Sequence, residues 1–263
     1  MALPSLWMED TEIPAYPRLP GDLDTDVVVV GAGIAGLTAS LLLRRAGKRV
    51  VLIEARRVGH GETGHTTAHL TEMLDAHYHV IESKFGHEGA RLVAESSRAA
   101  IDRIESLVLE LGVDCGFERV PGYLYAEDEK QRSDLEKELE SLRRVGADVA
   151  WVDSFPLSIR VDGAIRVERQ AQLHPLDYLR ALAAQLVSSG GQIFEGTTML
   201  EVDEGRPCHV STTRGVVTAE QVLVLTNAPV STRVALHTKV AAYRTYAVAA
   251  RMEKPFPAGL FWD

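Results

Sequence analysis

The segment Asp26–Val30 ends in four consecutive valines and runs directly into Gly31-Ala32-Gly33-Ile34-Ala35-Gly36. A helical pattern carrying Leu37 and Leu41 follows as far as Gly47, and a second apolar run, Arg49–Ile53, ends on Glu54. An unbroken β-branched run bounded by glycine is the pattern of a parallel strand buried on both faces. Strand, helix and strand in so short a span form a β-α-β unit, whose crossover is right-handed. The chain is thereby directed to an α/β class built on a parallel sheet.

Each part of the glycine run has a mechanical role. Gly31 permits the tight turn, Gly33 lets the backbone approach a pyrophosphate, and Gly36 lets the helix lie close to the sheet with its first amides aimed at negative charge. Ala32, Ile34 and Ala35 supply the main chain between them. Glu54 ends the second strand at the distance where an acid accepts hydrogen bonds from an adenosine ribose diol. A carboxylate there repels a 2′-phosphate, which disfavours NADP and leaves both NAD and FAD open.

The chain has 263 residues, 46% of them hydrophobic, and a formal net charge of −9. That length suits one large or two modest domains with a sizeable core. An acidic chain repels phosphate backbones and anionic lipid surfaces, so small molecules are the expected partners, with neither nucleic acid nor membrane among them. Oligomeric state is not encoded in any pattern we find. Cys115 and Cys208 lack CxxC spacing and suit reduced thiols, and Met1–Asp10 has no basic or apolar leader pattern, which together suggest the cytoplasm. The uncharged stretch Val27–Leu43 is slightly short for a membrane span and contains three glycines of the turn.

Residues 1–24 contain Pro4, Pro14, Pro17 and Pro20 and read as an extended arm in which proline prevents helix and ladder. Beyond the β-α-β unit, Gly59–Thr71 reads as a loop with a helix start near Thr66 or Thr67. Leu92, Ala99, Ile101, Ile104, Val108 and Leu111 predict an amphipathic helix over Glu88–Leu111. Gly122–Ala126 reads as a strand. Glu127–Val145 reads as a solvated surface helix with a narrow stripe of Leu135, Leu139 and Leu142. Pro175 opens a helix that ends at Gly190-Gly191, and strands are expected at Gln192–Glu195, Met199–Val202, His209–Thr213 and Gln221–Leu225. Strands that return after intervening helices suggest a nucleotide domain interrupted by a second one.

After Glu54 the chain reads Ala55-Arg56-Arg57-Val58-Gly59-His60-Gly61-Glu62-Thr63-Gly64-His65-Thr66-Thr67-Ala68-His69. Here it resembles the FAD-dependent oxidoreductases of the D-amino-acid/glycine oxidase family. It is most similar to the bacterial subgroup whose longer members carry a C-terminal Rieske iron–sulfur domain. The resemblance implies FAD as cofactor, with Glu54 on the ribose and Ala55, Arg56, Gly61, Thr63, Gly64, Thr66 and Thr67 on the pyrophosphate and flavin. It continues at Gln170–Pro175, at Thr197-Thr198-Met199 beside the adenine, and at Leu225-Thr226-Asn227-Ala228 at a strand end near the cofactor. It implies hydride transfer from a small amino-acid- or amine-like substrate to flavin, with electrons passing on to oxygen or another acceptor, and leaves no catalytic side chain assigned.

The same resemblance implies a discontinuous Rossmann-like FAD-binding domain with a parallel sheet, over 25–80 and 170–235. An α+β substrate domain, over 81–169 and 236–263, accompanies it. The family's pattern continues beyond Phe261-Trp262-Asp263, so this second domain is expected to be incomplete, with a strand at Ala241–Ala250 left with an open edge. Tyr243, Arg244 and Tyr246 resemble the start of a substrate-domain strand, where Arg offers a fork to a carboxylate. Two alternatives accompany this reading: an inactive, truncated nucleotide-binding remnant, and an NAD-dependent Rossmann dehydrogenase, for which no Tyr-x-x-x-Lys or placed His is found.

No metal is expected. His65 and His69 are four apart but lack the glutamate of an HExxH helix, and His77 and His79 flank Tyr78 without acidic or cysteine company in sequence. Close-spaced Cys/His pairs for a Rieske centre are also absent.

Overall fold

The computed structural model describes residues 5–152, 154–228, 248, 250, 253 and 256–263. In chain order the elements begin with α1 (Leu6–Asp10), β1 (Leu23–Val30), α2 (Ile34–Arg45), β2 (Val50–Ile53), a 3-10 turn (Glu62–His65) and β3 (His69–Leu70). There follow α3 (Tyr78–Leu111), β4 (Glu118–Ala126), α4 (Glu129–Arg144), β5 (Val149–Trp151) and β6 (Gly163–Gln172). The last are α5 (Pro175–Ser188), β7 (Gln192–Phe194), β8 (Met199–Asp203), β9 (Cys208–Thr212), β10 (Gly215–Val224) and β11 (Leu260–Trp262). Two compact units result, one from the described residues of Met1–Thr67 and Pro175–Ala249, the other from those of Ala68–His174 and Ala250–Asp263.

The first unit is built on a six-stranded sheet in the order β7-β2-β1-β10-β9-β8. β1 pairs parallel with β2 on one side and with β10 on the other, and β2 pairs parallel with β7. Val27–Val30 are all buried, as a strand covered on both faces requires. On one face α2 and α5 pack together, burying Leu37, Leu41, Leu179, Leu182 and Leu186. On the other, Val28, Val30, Val51 and Ile53 meet Leu19 of the N-terminal segment and Met199, Val210 and Val217. Burying a side chain of this size contributes roughly 1.5–3 kcal/mol, so this double coverage fixes the sheet and its loop ends.

The N-terminal segment is not wholly extended. α1 forms because no proline interrupts Ser5–Ile13, and described residues of the segment pack against their unit. Trp7 Nε1 donates to the Thr66 carbonyl at 2.8 Å, while Ile13 and Leu19 are buried. The loop after Glu54 opens no α-helix at Thr66 or Thr67. It makes the 3-10 turn at Glu62–His65 and then β3.

The second unit pairs β11-β4-β6-β3 in order, with β5 also on β6. The face carrying Leu124, Ala126, Ile165 and Val167 packs on α3 and α4 through Ala90, Ala94, Leu135, Leu139 and Leu142. The opposite face is aromatic, with Tyr123 stacked on Phe261 at 4.9 Å and Phe155 edge-on to both.

Two expectations move here. The amphipathic helix is longer than Glu88–Leu111, is broken at Gly86 (φ 72°), and buries Ala90, Ala94, Ile101, Ile104, Leu107 and Val108, leaving Leu92 and Ala99 exposed. The units divide after Thr67 and after His174 rather than at 80/81 and 169/170. The cause is β6, whose Gln170–Gln172 pair with Glu118–Val120, while His69 and Leu70 pair with Gln172 and Ala171. The strand expected at Ala241–Ala250 falls almost wholly outside the described residues.

Candidate functional site

In the first unit, β1, β2 and β10 all present their carboxyl ends at one edge, and a groove opens there between the loops that leave them. Ligands of open α/β sheets bind at such a point, where neighbouring strands lead off in opposite directions. The groove is an open cleft of about 200 Å³. Gly31, Ala32 and Gly33 line it from the first turn, Glu54, Ala55 and Arg56 from the second, and Thr226 and Asn227 from the end of β10. Met199 closes it together with Thr197 and Thr198, and Val30 and Leu225 complete the wall.

The glycines are there because nothing larger fits. Gly31 has φ 105°, and a Cβ on it would lie 2.5 Å from the Leu225 carbonyl oxygen. A Cβ on Gly36 would lie 1.8 Å from the Gly31 carbonyl oxygen, so the first turn of α2 rests on the loop itself. Gly33 is the N-cap of α2 and supplies no side-chain cap, so the helix opens with its backbone amides, the partial positive end of its dipole, at the groove. Ile34 and Ala35 belong to that first turn.

Glu54 does more than point at a ligand. Its Oε2 accepts from the Ala32 amide at 2.9 Å and its Oε1 from the Arg56 amide at 2.8 Å, so one carboxylate fixes both groove-lining turns. Each carboxylate oxygen keeps a second lone pair for a hydroxyl. The segment that lays Thr197–Met199 along the groove is held by main-chain bonds from Thr197 to Glu54 (2.9 Å) and from Gly196 to Arg56 (3.1 Å).

Beneath this lies a residue that sequence reasoning missed. Glu195, 5% exposed at the end of β7, accepts from the Tyr16 amide at 3.0 Å and the Val58 amide at 2.8 Å. Arg57 Nε lies 3.7 Å away. Burial and then the Glu195 carboxylate hold the Tyr16 phenol above its ordinary pKa. One buried acid thus ties the N-terminal segment to the turn that carries Ala55 and Arg56. A glutamate closing a short apolar run was the available signal, and its partners are more than a hundred residues away.

Gly61, Thr63, Gly64, Thr66 and Thr67 do not line this groove. They form and flank the 3-10 turn, where a Cβ on Gly33 would come within 3.0 Å of Thr63 Oγ1, and Gly64 is buried against Gly59 and Met8. Tyr243, Arg244 and Tyr246 lie outside the described residues.

A family described as FAD dependent oxidoreductase (DAO) matches residues 26–261. The chain belongs to this family. FAD is therefore the dinucleotide, and the glycine turn, the open helix end and Glu54 fit its adenosine diphosphate half. The chain is 33% identical over 257 residues to YhfW of Bacillus subtilis strain 168, described as a Rieske 2Fe-2S iron-sulfur protein, covering 97% of this chain and 50% of that protein. It is 29% identical over 219 residues to gamma-glutamylputrescine oxidoreductase of Escherichia coli K12, covering 81% of this chain and 51% of that one. The chain thus spans about half the length of these curated relatives. Among solved structures, glycine oxidase from Geobacillus kaustophilus aligns at 25% identity and TM-score 0.64, covering 78% of this chain and 55% of that one. L-proline dehydrogenase from P. horikoshii aligns at 19% identity and TM-score 0.62, covering 79% and 54%, and supports the fold. Among the described residues, no helix is long and apolar enough to cross a membrane.

Proposed function

We propose that this chain serves an FAD-dependent oxidation in which a small amino-acid- or amine-like substrate gives up a hydride from the carbon of a C–N bond. The observation that carries this reading is the groove at the strand ends, where Gly31, Gly36 and Glu54 fit a dinucleotide in a chain belonging to the FAD family. The named relatives and neighbours add support, since those with named substrates act on amino acids or a glutamylated amine. Bound FAD supplies the two-electron acceptor.

The protein's part is position. The α2 amides and Gly33 would hold the pyrophosphate, Glu54 would accept from the ribose hydroxyls, and Thr197–Met199 would meet the adenine. Gly61, Thr63, Gly64, Thr66 and Thr67 would meet the flavin. Arg244, with Tyr243 and Tyr246, would hold a substrate carboxylate. An amine that binds neutral needs no obligatory protein base, so no side chain is assigned to proton removal. Cys115 and Cys208, which form no disulfide, and the net charge of −9 favour a cytoplasmic protein with a small-molecule partner and no nucleic acid.

The test is the visible spectrum of the purified 263-residue protein, identification of the nucleotide released on denaturation, and anaerobic mixing with amino acids and amines. Released FAD with substrate-dependent bleaching is the expected result. Released NAD would replace this reading with the dehydrogenase, and FAD that no amine reduces would leave a nucleotide-binding remnant.

A further inference from the structure

The second unit brings together three metal-ligating side chains that are far apart in sequence. His77 and His79 flank the start of α3, and Glu138 reaches them from α4, 59 residues after His79. One ligating atom from each lies within 4.8 Å of the other two. Glu138 is 1% exposed on the stripe face of α4, in a helix whose other glutamates face water. His79 Nδ1 stands 3.0 Å from Glu138 Oε2, and the two imidazole rings are 5.5 Å apart between centroids.

We propose that His77, His79 and Glu138 bind one divalent transition ion of the zinc class, which ties the first turn of α3 to the buried face of α4. Ligand atoms about 2.0–2.1 Å from a tetrahedral ion stand roughly 3.3 Å apart, so the His79–Glu138 pair is already near ligand spacing. His77 completes the set, with its ligating atom within 4.8 Å of the other two. Its side chain makes no capping bond to α3.

Two imidazoles and one carboxylate select zinc-like ions over calcium and magnesium, which take oxygen. The carboxylate is also oriented from behind. Glu138 Oε1 accepts from the Tyr78 amide at 2.8 Å, and Oε2 accepts from the His79 amide at 3.1 Å, the kind of outer support that fixes a metal ligand. With three protein ligands, a fourth coordination position remains for water or a small anion.

The flavin-loaded protein, stripped with a chelator and dialysed, would be titrated with zinc chloride by calorimetry and melted with and without zinc. One equivalent is expected, with a zinc-dependent rise in melting temperature. H77A and H79A should each weaken binding tenfold or more and remove that rise, whereas H209A, a histidine of the first unit, should change neither. E138Q should weaken binding similarly. Because Glu138 also receives two helix amides, a misfolded E138Q leaves the decision to H77A, whose side chain supports no such bond. Absence of stoichiometric binding, or binding that survives H77A and H79A together, overturns the proposal.

Discussion

Removing the Glu195 carboxylate is expected to loosen the cofactor groove from beneath without touching its lining. The two bonds it accepts, from Tyr16 and Val58 amides at 3.0 and 2.8 Å, are charge-assisted, a class worth about 1.5–3 kcal/mol each. Val58 is 1% exposed, so water cannot replace the partner there. The Arg57 contact at 3.7 Å comes from a side chain 43% exposed and adds less than about 1 kcal/mol. E195A should therefore cost about 3–5 kcal/mol, leaving buried donors unsatisfied. E195Q, which keeps one acceptor oxygen and turns an NH2 toward one amide, should cost about 2–3 kcal/mol. For a unit of this size E195A lowers the melting temperature by roughly 10–20 °C. Because the Val58 turn carries Ala55 and Arg56, FAD affinity measured by fluorescence quenching should fall at least tenfold, about 1.4 kcal/mol. E201Q, at an exposed position of β8, should stay within about 0.5 kcal/mol of the parent. An E195A protein that melts within 2 °C of the parent and binds FAD equally well would refute the reasoning.

Three further outcomes are expected. G36A places a Cβ 1.8 Å from the Gly31 carbonyl oxygen, a backbone atom that cannot move aside, so the purified variant should carry almost no flavin by its flavin-to-protein ratio. E54Q keeps one acceptor for the Ala32 or Arg56 amide but loses the charge that a ribose hydroxyl donates to, and should bind FAD about tenfold more weakly in the same titration. The Arg49 side chain donates to Asp26 and lowers its pKa, so this pair's contribution is present above the ordinary carboxylate value, near pH 4, and is lost as pH falls through the lowered value. Thermal melts of D26N from pH 6 downward should fall less steeply through that acid window than those of the parent, and added salt should narrow the difference because the pair is exposed.

The first half of the groove was legible before any coordinates, because its information is contiguous. Valines that must be buried on both faces, glycines at a turn, and an acid closing the next strand are all within thirty residues, and local sterics dictate their conformation. What depends on distant pairing is not written locally. Leu92 is as apolar as a core residue, yet α3 turns Ala90 and Ala94 inward because those faces meet α4 and the sheet. Gln170–Gln172 look like an approach to α5 but are drawn into the second unit by β4 and β3.

By itself the sequence determined an α/β chain with a parallel sheet, a dinucleotide turn at Gly31–Gly36, an acid at Glu54 and a family resemblance to FAD-dependent oxidoreductases. Only the tertiary structure decided which surfaces meet. It set β10 beside β1, placed Glu195 under the Val58 turn, and carried Glu138 to His77 and His79. The physical reason is that backbone preference and hydrophobic period act over a few residues. A buried carboxylate finds its donors wherever packing leaves them, across any length of chain.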